Sequence, residues 1–195
     1  MPTKKKPRRT GLYQLKVTLK GIRPPIWRRV QVPGTITLAV LHDVLQTVFG
    51  WSDTHLHQFE IEGRQFGVPD DFDEEILDEG RVMVSETVGP SVKRFLYTYD
   101  FGDNWEHEIL VEKVIAGSSG GEQLLCLTGR RQRPPEDCGG PWGYQKFLEA
   151  ISDPKHEEHQ AMLEWVGGSF NPEAFDLAIV NRALAGLRLG PLRVQ

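Results

Sequence analysis

Two histidines, His55 and His57, stand one residue apart, and an extended backbone would project both imidazoles from one face. That geometry suits a shared metal ion, and other groups able to ligate or to move protons follow along the chain. The run Tyr97-Thr-Tyr-Asp-Phe-Gly-Asp-Asn-Trp-Glu-His107 supplies Asp100, Asp103 and His107, and Pro134-Pro-Glu-Asp-Cys-Gly-Gly-Pro141 supplies Glu136, Asp137 and Cys138. A divalent ion on His55, His57, Asp103 and His107, with Glu136 or Asp137 activating water, would make a metal-dependent hydrolase or nuclease.

Each of these residues has a structural explanation as well. His107 shares a strand face with Trp105, Ile109 and Val111, which suits a core histidine. Asp100 and Asp103 can bond the amides of their own turn. Glu136 and Asp137 can cap the helix expected from about Gly143 or face solvent. Cys138 is a nucleophile only with a base beside it.

The elements that must position these groups are legible from periodicity. Leu15, Val17 and Leu19 alternate with Gln14, Lys16 and Lys20, predicting a strand over 12–20, and Trp27-Arg-Arg-Val-Gln-Val32 predicts its hairpin partner. Leu38, Leu41, Leu45, Val48 and Phe49 carry helical spacing, with Thr37 as N-cap, Gly50 as stop and His42 beside the apolar face. His57–Glu62, Phe95–Tyr99, Trp105–Glu112 and Leu124–Leu127 read as further strands, the middle two joined as a hairpin by Asp100-Phe-Gly-Asp-Asn104. Pro69–Gly80 carries seven acids and no base, predicting a solvated loop or short helix without the spacing of a calcium loop.

The last third turns helical. Tyr144, Phe147, Leu148 and Ile151 share one face, Asp153-Pro154 and Asn171-Pro172 read as helix starts, and a final helix runs through Phe175, Ile179, Ala183 and Leu187. Strands before helices predict an α+β fold: a mainly antiparallel sheet, one helix after the first hairpin, and about three C-terminal helices. The expected organisation is a basic tail over 1–10 and a single domain over 11–190, sheet-rich over 11–130 and helical over 141–188.

At 195 residues, 39% hydrophobic and 26% charged, the chain can bury one sizeable core. No apolar run is long enough for a membrane helix and no secretory signal is visible, so a cytoplasmic protein without membrane partners is expected, with Cys126 and Cys138 reduced. The net charge of −4 hides an asymmetry: residues 1–42 hold ten Lys or Arg and no acid. Lys4, Lys5, Lys6, Arg8 and Arg9 could form an arm for nucleic acid, extended by Arg130, Arg131 and Arg133, or simply solvate the terminus.

Familiar enzyme signatures are missing. Asp100-Phe-Gly lacks the loops that accompany it in kinases, and His156-Glu-Glu-His159 has its histidines three apart rather than the four of a zincin helix.

Pro24-Pro-Ile-Trp27-Arg28-Arg29, Leu41-His42, Phe49-Gly-Trp51 with His55-Leu-His57-Gln-Phe59, the Tyr97–His107 run with Asp100, Gly102 and Trp105, and Pro135-Glu-Asp-Cys138-Gly139-Gly140 together resemble the plasmid pRiA4b ORF-3-like family. The resemblance runs from about Tyr13 to the final helix. It implies a compact α+β fold and, since members are also labelled TnpR-type passenger proteins of insertion elements, carriage on mobile DNA. No N-terminal serine motif, tyrosine-recombinase set or helix-turn-helix module accompanies it. The reading favoured by the residues is therefore a non-catalytic accessory or interaction protein of a mobile element with an unidentified protein partner. The metal-dependent hydrolase and the nucleic-acid binder stand as alternatives.

Overall fold

The computed structural model describes residues 11–69, 75–89, 91–116 and 123–187. In chain order its elements are β1 (Gly11–Leu19), β2 (Trp27–Pro33), α1 (Leu38–Phe49), β3 (His57–Ile61), β4 (Arg64–Gly67), β5 (Leu77–Asp78), α2 (Val84–Thr87), β6 (Arg94–Tyr99), β7 (Trp105–Ala116), β8 (Leu125–Arg130), α3 (Gly140–Ser152), α4 (His159–Trp165) and α5 (Leu177–Gly186). The strands form one sheet in the order β5-β4-β3-β6-β7-β1-β2-β8, and every pairing is antiparallel except β4 with β5. The fold is α+β, as the order of periodic segments predicts.

Alternation in β1 puts Tyr13, Leu15, Val17 and Leu19 in the core, with Val32 and Val30 of β2 opposite Tyr13 and Leu15, and Ile109 of β7 opposite Val17. Arg28 shares that buried face of β2 at 3% exposure. Its guanidinium donates to the carbonyls of Val48, Trp27, Arg130 and Arg131 and lies against the Phe49 and Phe175 rings. The charge is thus solvated by main-chain oxygens from the end of α1, the start of β2 and the end of β8. Gly129 leaves the room this needs, because a Cβ there would lie 2.7 Å from the Phe175 ring.

α1 starts where Thr37 Oγ1 accepts from the Val40 amide and stops at Gly50, whose φ of 84° closes the last turn onto Gln46 O. The helix buries His42 and Gln46 along with its aliphatic stripe. In the β6–β7 hairpin, Asp100 and Asn104 take left-handed φ values of 57° and 54°, which Asp and Asn tolerate better than other side chains.

Three sequence expectations change. Asp153 and Asn171 do not begin helices: Asp153 Oδ1 accepts from Lys155 N and Asn171 Oδ1 from Glu173 N, forming local turns. α4 starts only at His159, and α5 starts after Asp176, whose Oδ1 accepts from Ala178 N and Ile179 N. The acidic stretch is not solvated throughout. Residues 70–74 lie outside the described residues, but Glu79 is buried at 4% exposure in a 3-10 turn. Strands β4 and β5, which carry that turn to the sheet edge, have too little alternation to be foreseen.

Candidate functional site

The sheet edge β3–β4–β5 and α1 enclose a cleft of about 660 Å³. Its lining among the described residues includes His42, Asp43, Asp53, His55, His57 and Glu79, and no Lys or Arg. Exposed Leu56, Val68 and Phe101 form an apolar rim.

At the floor, the imidazoles of His42 and His57 stack with centroids 3.5 Å apart and planes 11° from parallel. His57 Nε2 lies 3.0 Å from both oxygens of Glu79, and His42 Nε2 lies 2.9 Å from Asp53 Oδ1. The protonation of His42 follows from its partners. Gln46 Oε1 accepts from the Asp53 amide, so Gln46 Nε2 is the atom that donates to Tyr97 OH. The Asp53 carboxylate can only accept, so His42 carries a proton on Nε2 and donates it there; in the neutral ring Nδ1 then accepts from the Tyr97 hydroxyl. Burial, and secondarily the neighbouring His57, holds the His42 imidazole below its ordinary pKa. Burial, reinforced by Asp53 and Glu79, raises the Asp43 carboxyl.

His55 has different surroundings. Its Nε2 is shielded from solvent and lies 3.1 Å from Asp137 Oδ1 and 3.8 Å from Asp100 Oδ2, yet makes no hydrogen bond. Asp100 is fixed through its other oxygen, which accepts from the Gly102 and Asp103 amides. Asp137 arrives from 37 residues further along because its loop docks on the same turn: Gly139 N donates to Asp103 Oδ2, and Gly140 lies so close that a Cβ would meet Asp103 O at 2.5 Å. Asp53, Asp100 and Asp137, the acids facing His42 and His55, all have positive φ.

The histidines of the His-x-His pair therefore line one cleft but face separate carboxylate sets: His57 meets Glu79 and stacks on His42, while His55 meets Asp100 and Asp137. Asp103 serves as an anchor for Gly139. His107 is fully buried, accepting at Nε2 from Trp51 Nε1 at 3.3 Å, and burial lowers its pKa to about 4. Among the described residues, no cluster of ligating atoms joins it to His55 or His57. Glu136 Oε1 accepts from Ser52 N and Oγ. The Cys138 thiol is pushed up to about 12, chiefly by burial and then by Asp103, which removes it as a nucleophile near neutrality. Cys126 and Cys138 are both free.

Of the arginine cluster, Arg131 is buried against Glu173 and Pro24 O, Arg133 donates to Gly50 O and Pro134 O while covering Trp51, and Arg130 is exposed. Lys4, Lys5, Lys6, Arg8 and Arg9 lie outside the described residues.

His42, Asp53 and Glu79 were not among the sequence candidates. His42 falls beside an apolar helix face, Glu79 sits in the acidic stretch that reads as solvated, and Asp53 stands in a short segment with no periodicity. The Leu-His pair in α1 was the available signal, since a histidine among core aliphatics needs a partner.

The family model described as plasmid pRiA4b ORF-3-like protein matches residues 11–179. The chain belongs to this family. Uncharacterized protein y4hQ of Sinorhizobium fredii is 44% identical over 181 residues, covering 91% of this chain and 92% of that protein. The crystal structure of a protein of unknown function from Methanosarcina mazei Go1, MM3350, superposes with a TM-score of 0.80 at 40% identity, covering 87% of this chain and 97% of that one. The residues that carry the plasmid pRiA4b ORF-3-like resemblance here do identifiable work: Arg28 ties α1 to β8, and Arg29 forms a two-pronged ion pair with Glu112. Lys16 and Arg29 both lie over Trp27, and Trp105 packs beneath Trp51. Asp100, Gly102 and the Cys138-Gly-Gly140 loop bring the His55 carboxylates together. No helix among the described residues is long and apolar enough to cross a membrane.

Proposed function

We propose that this domain is a hydrolase working in the acidic cleft, with the His42–Asp53 pair as its proton-transfer element. One observation carries the reading: buried His42 is held between the Tyr97 hydroxyl at Nδ1, 2.8 Å away, and the Asp53 carboxylate at Nε2, 2.9 Å away. Asp53 is 56% exposed at its side chain, so one carboxylate oxygen is held by His42 while the carboxylate still faces the cleft. A carboxylate oriented in this way can take a proton from a water molecule and return it to a leaving group. The absence of Lys and Arg from the lining among the described residues favours uncharged or cationic substrates over phosphate esters.

The family's plasmid description is consistent with an accessory role, and passage on a mobile element belongs to this proposal. The test is a panel of chromogenic esters, amides and phosphoesters assayed with wild type, Asp53→Asn and Tyr97→Phe. Turnover of an uncharged substrate is expected, abolished in Asp53→Asn and reduced in Tyr97→Phe. Wild-type protein that turns over nothing, or turnover unaffected by Asp53→Asn, would return the domain to a non-catalytic binding role.

A further inference from the structure

The two histidine clusters differ in a way that separates protons from metal ions. His42 and His57 are satisfied as they stand: each Nε2 meets a carboxylate in hydrogen-bonding geometry. Their nearly parallel rings cannot both aim an in-plane lone pair at one ion. His55 is not satisfied. Its Nε2 is cut off from water and makes no hydrogen bond to the Asp137 oxygen 3.1 Å away, so the nitrogen has a carboxylate beside it but no proton-sharing partner.

We infer that His55, Asp100 and Asp137 form a divalent metal site, with Nε2, Oδ2 and Oδ1 as ligand atoms. These three atoms lie within 4.8 Å of one another. Two ligands about 2.1 Å from one ion stand about 3.0–3.5 Å apart, and the 3.1 Å and 3.8 Å separations need little adjustment. The support expected around a metal site is present. Asp100 is buried at 6% exposure, its second oxygen is held by two backbone amides, and the Tyr99 ring packs edge-on against His55. Two carboxylates around a single imidazole call for positive charge, and the nearby Arg133 guanidinium is taken up by the carbonyls of Gly50 and Pro134. One nitrogen and two oxygens suit zinc or manganese, with the remaining positions left for water or substrate.

In the hydrolase reading on which this extension builds, an ion held by His55, Asp100 and Asp137 would supply Lewis acidity at the bond to be cleaved, and the His42–Asp53 pair stays the proton carrier. It also widens the substrate class, because a bound ion would let an anionic phosphoester or carboxylate enter an otherwise repulsive cleft.

The experiment is calorimetric titration of full-length protein, purified without a histidine tag and stripped with chelator, with zinc and manganese. Anomalous scattering from a soaked crystal then locates the ion. One ion per chain is expected, with affinity falling at least about tenfold in His55→Ala and in Asp137→Asn. Asp137 is 71% exposed at its side chain, so its replacement leaves the core intact. Tyr97→Phe should keep the affinity, so loss of metal binding and loss of the proton relay are read separately. No binding of either metal, binding that survives the double His55→Ala/Asp137→Asn variant, or an ion located between His42 and His57 would overturn the assignment.

Discussion

The ring of His42, on a helix, lies flat on the ring of His57, on a strand, with 3.5 Å between centroids. Two imidazolium rings would repel at this distance, so the stack requires at least one of them to be neutral. The Asp53 carboxylate, which can only accept, places the His42 proton on Nε2, and the Tyr97 hydroxyl at Nδ1 supports that tautomer. Nitrogen-15 spectra of the imidazoles should therefore show the Nε2–H tautomer for His42 in wild type and a tautomer mixture in Tyr97→Phe. A wild-type Nδ1–H signal would contradict the relay.

His107 makes folding pH-dependent. Its pKa falls from 6.5 in the unfolded chain to about 4 in the folded one, so the unfolded state binds more protons between these values. Stability is fully present above pH 6.5 and is lost as pH falls towards 4, by about 3 kcal/mol. His107→Gln cannot titrate. Denaturant unfolding should show the wild-type advantage over this variant shrinking through that window and constant above it.

Arg28 should be intolerant even of lysine. Four carbonyls surround a planar guanidinium that an ammonium cannot match, and burial already lowers its pKa to about 10. Arg28→Lys is expected to cost about 2–4 kcal/mol in chemical denaturation, and Arg28→Met more, because the carbonyls of Val48 and Arg131 lose their donor.

Gly140→Ala tests the loop that brings Asp137 to His55. Its φ of 68° and the 2.5 Å approach to Asp103 O leave no place for a methyl group. The expected outcome is a folded protein, by circular dichroism, whose Cys138 loop has lifted from the Asp103 turn and whose metal affinity has dropped about tenfold or more.

Cys138 should be sluggish. With its thiol at about 12, alkylation by iodoacetamide at pH 8 in a Cys126→Ser background is expected to run roughly a hundredfold slower than for a free thiol. A rate near that of the free amino acid would show that the loop opens readily.

Local physics made much of this molecule legible from its residues. Leu15, Val17 and Leu19 alternate because a strand side chain sees one face at every second position, and Thr37 and Gly50 bound α1 because a helix must satisfy its end groups nearby. The His107 environment could likewise be read from its Trp105 and Ile109 neighbours. Where Asp153 and Asn171 misled, the signal was local too: the same side-chain acceptor serves a short turn as well as a helix cap.

The amino-acid order determined strands β1–β3 and β6–β8, the first helix with its caps, and which residues were chemically able to form a site. Only the tertiary structure decided the partners. Glu79 reaches His57 because β4 and β5 extend the sheet edge, Asp53 reaches His42 because the chain turns back after Gly50, and Asp137 reaches His55 because Gly140 lets one loop sit on another. Each meeting joins residues separated by eleven to 82 positions. Periodicity and capping act over about four residues and say nothing about such distances, whereas sheet order and loop docking set them.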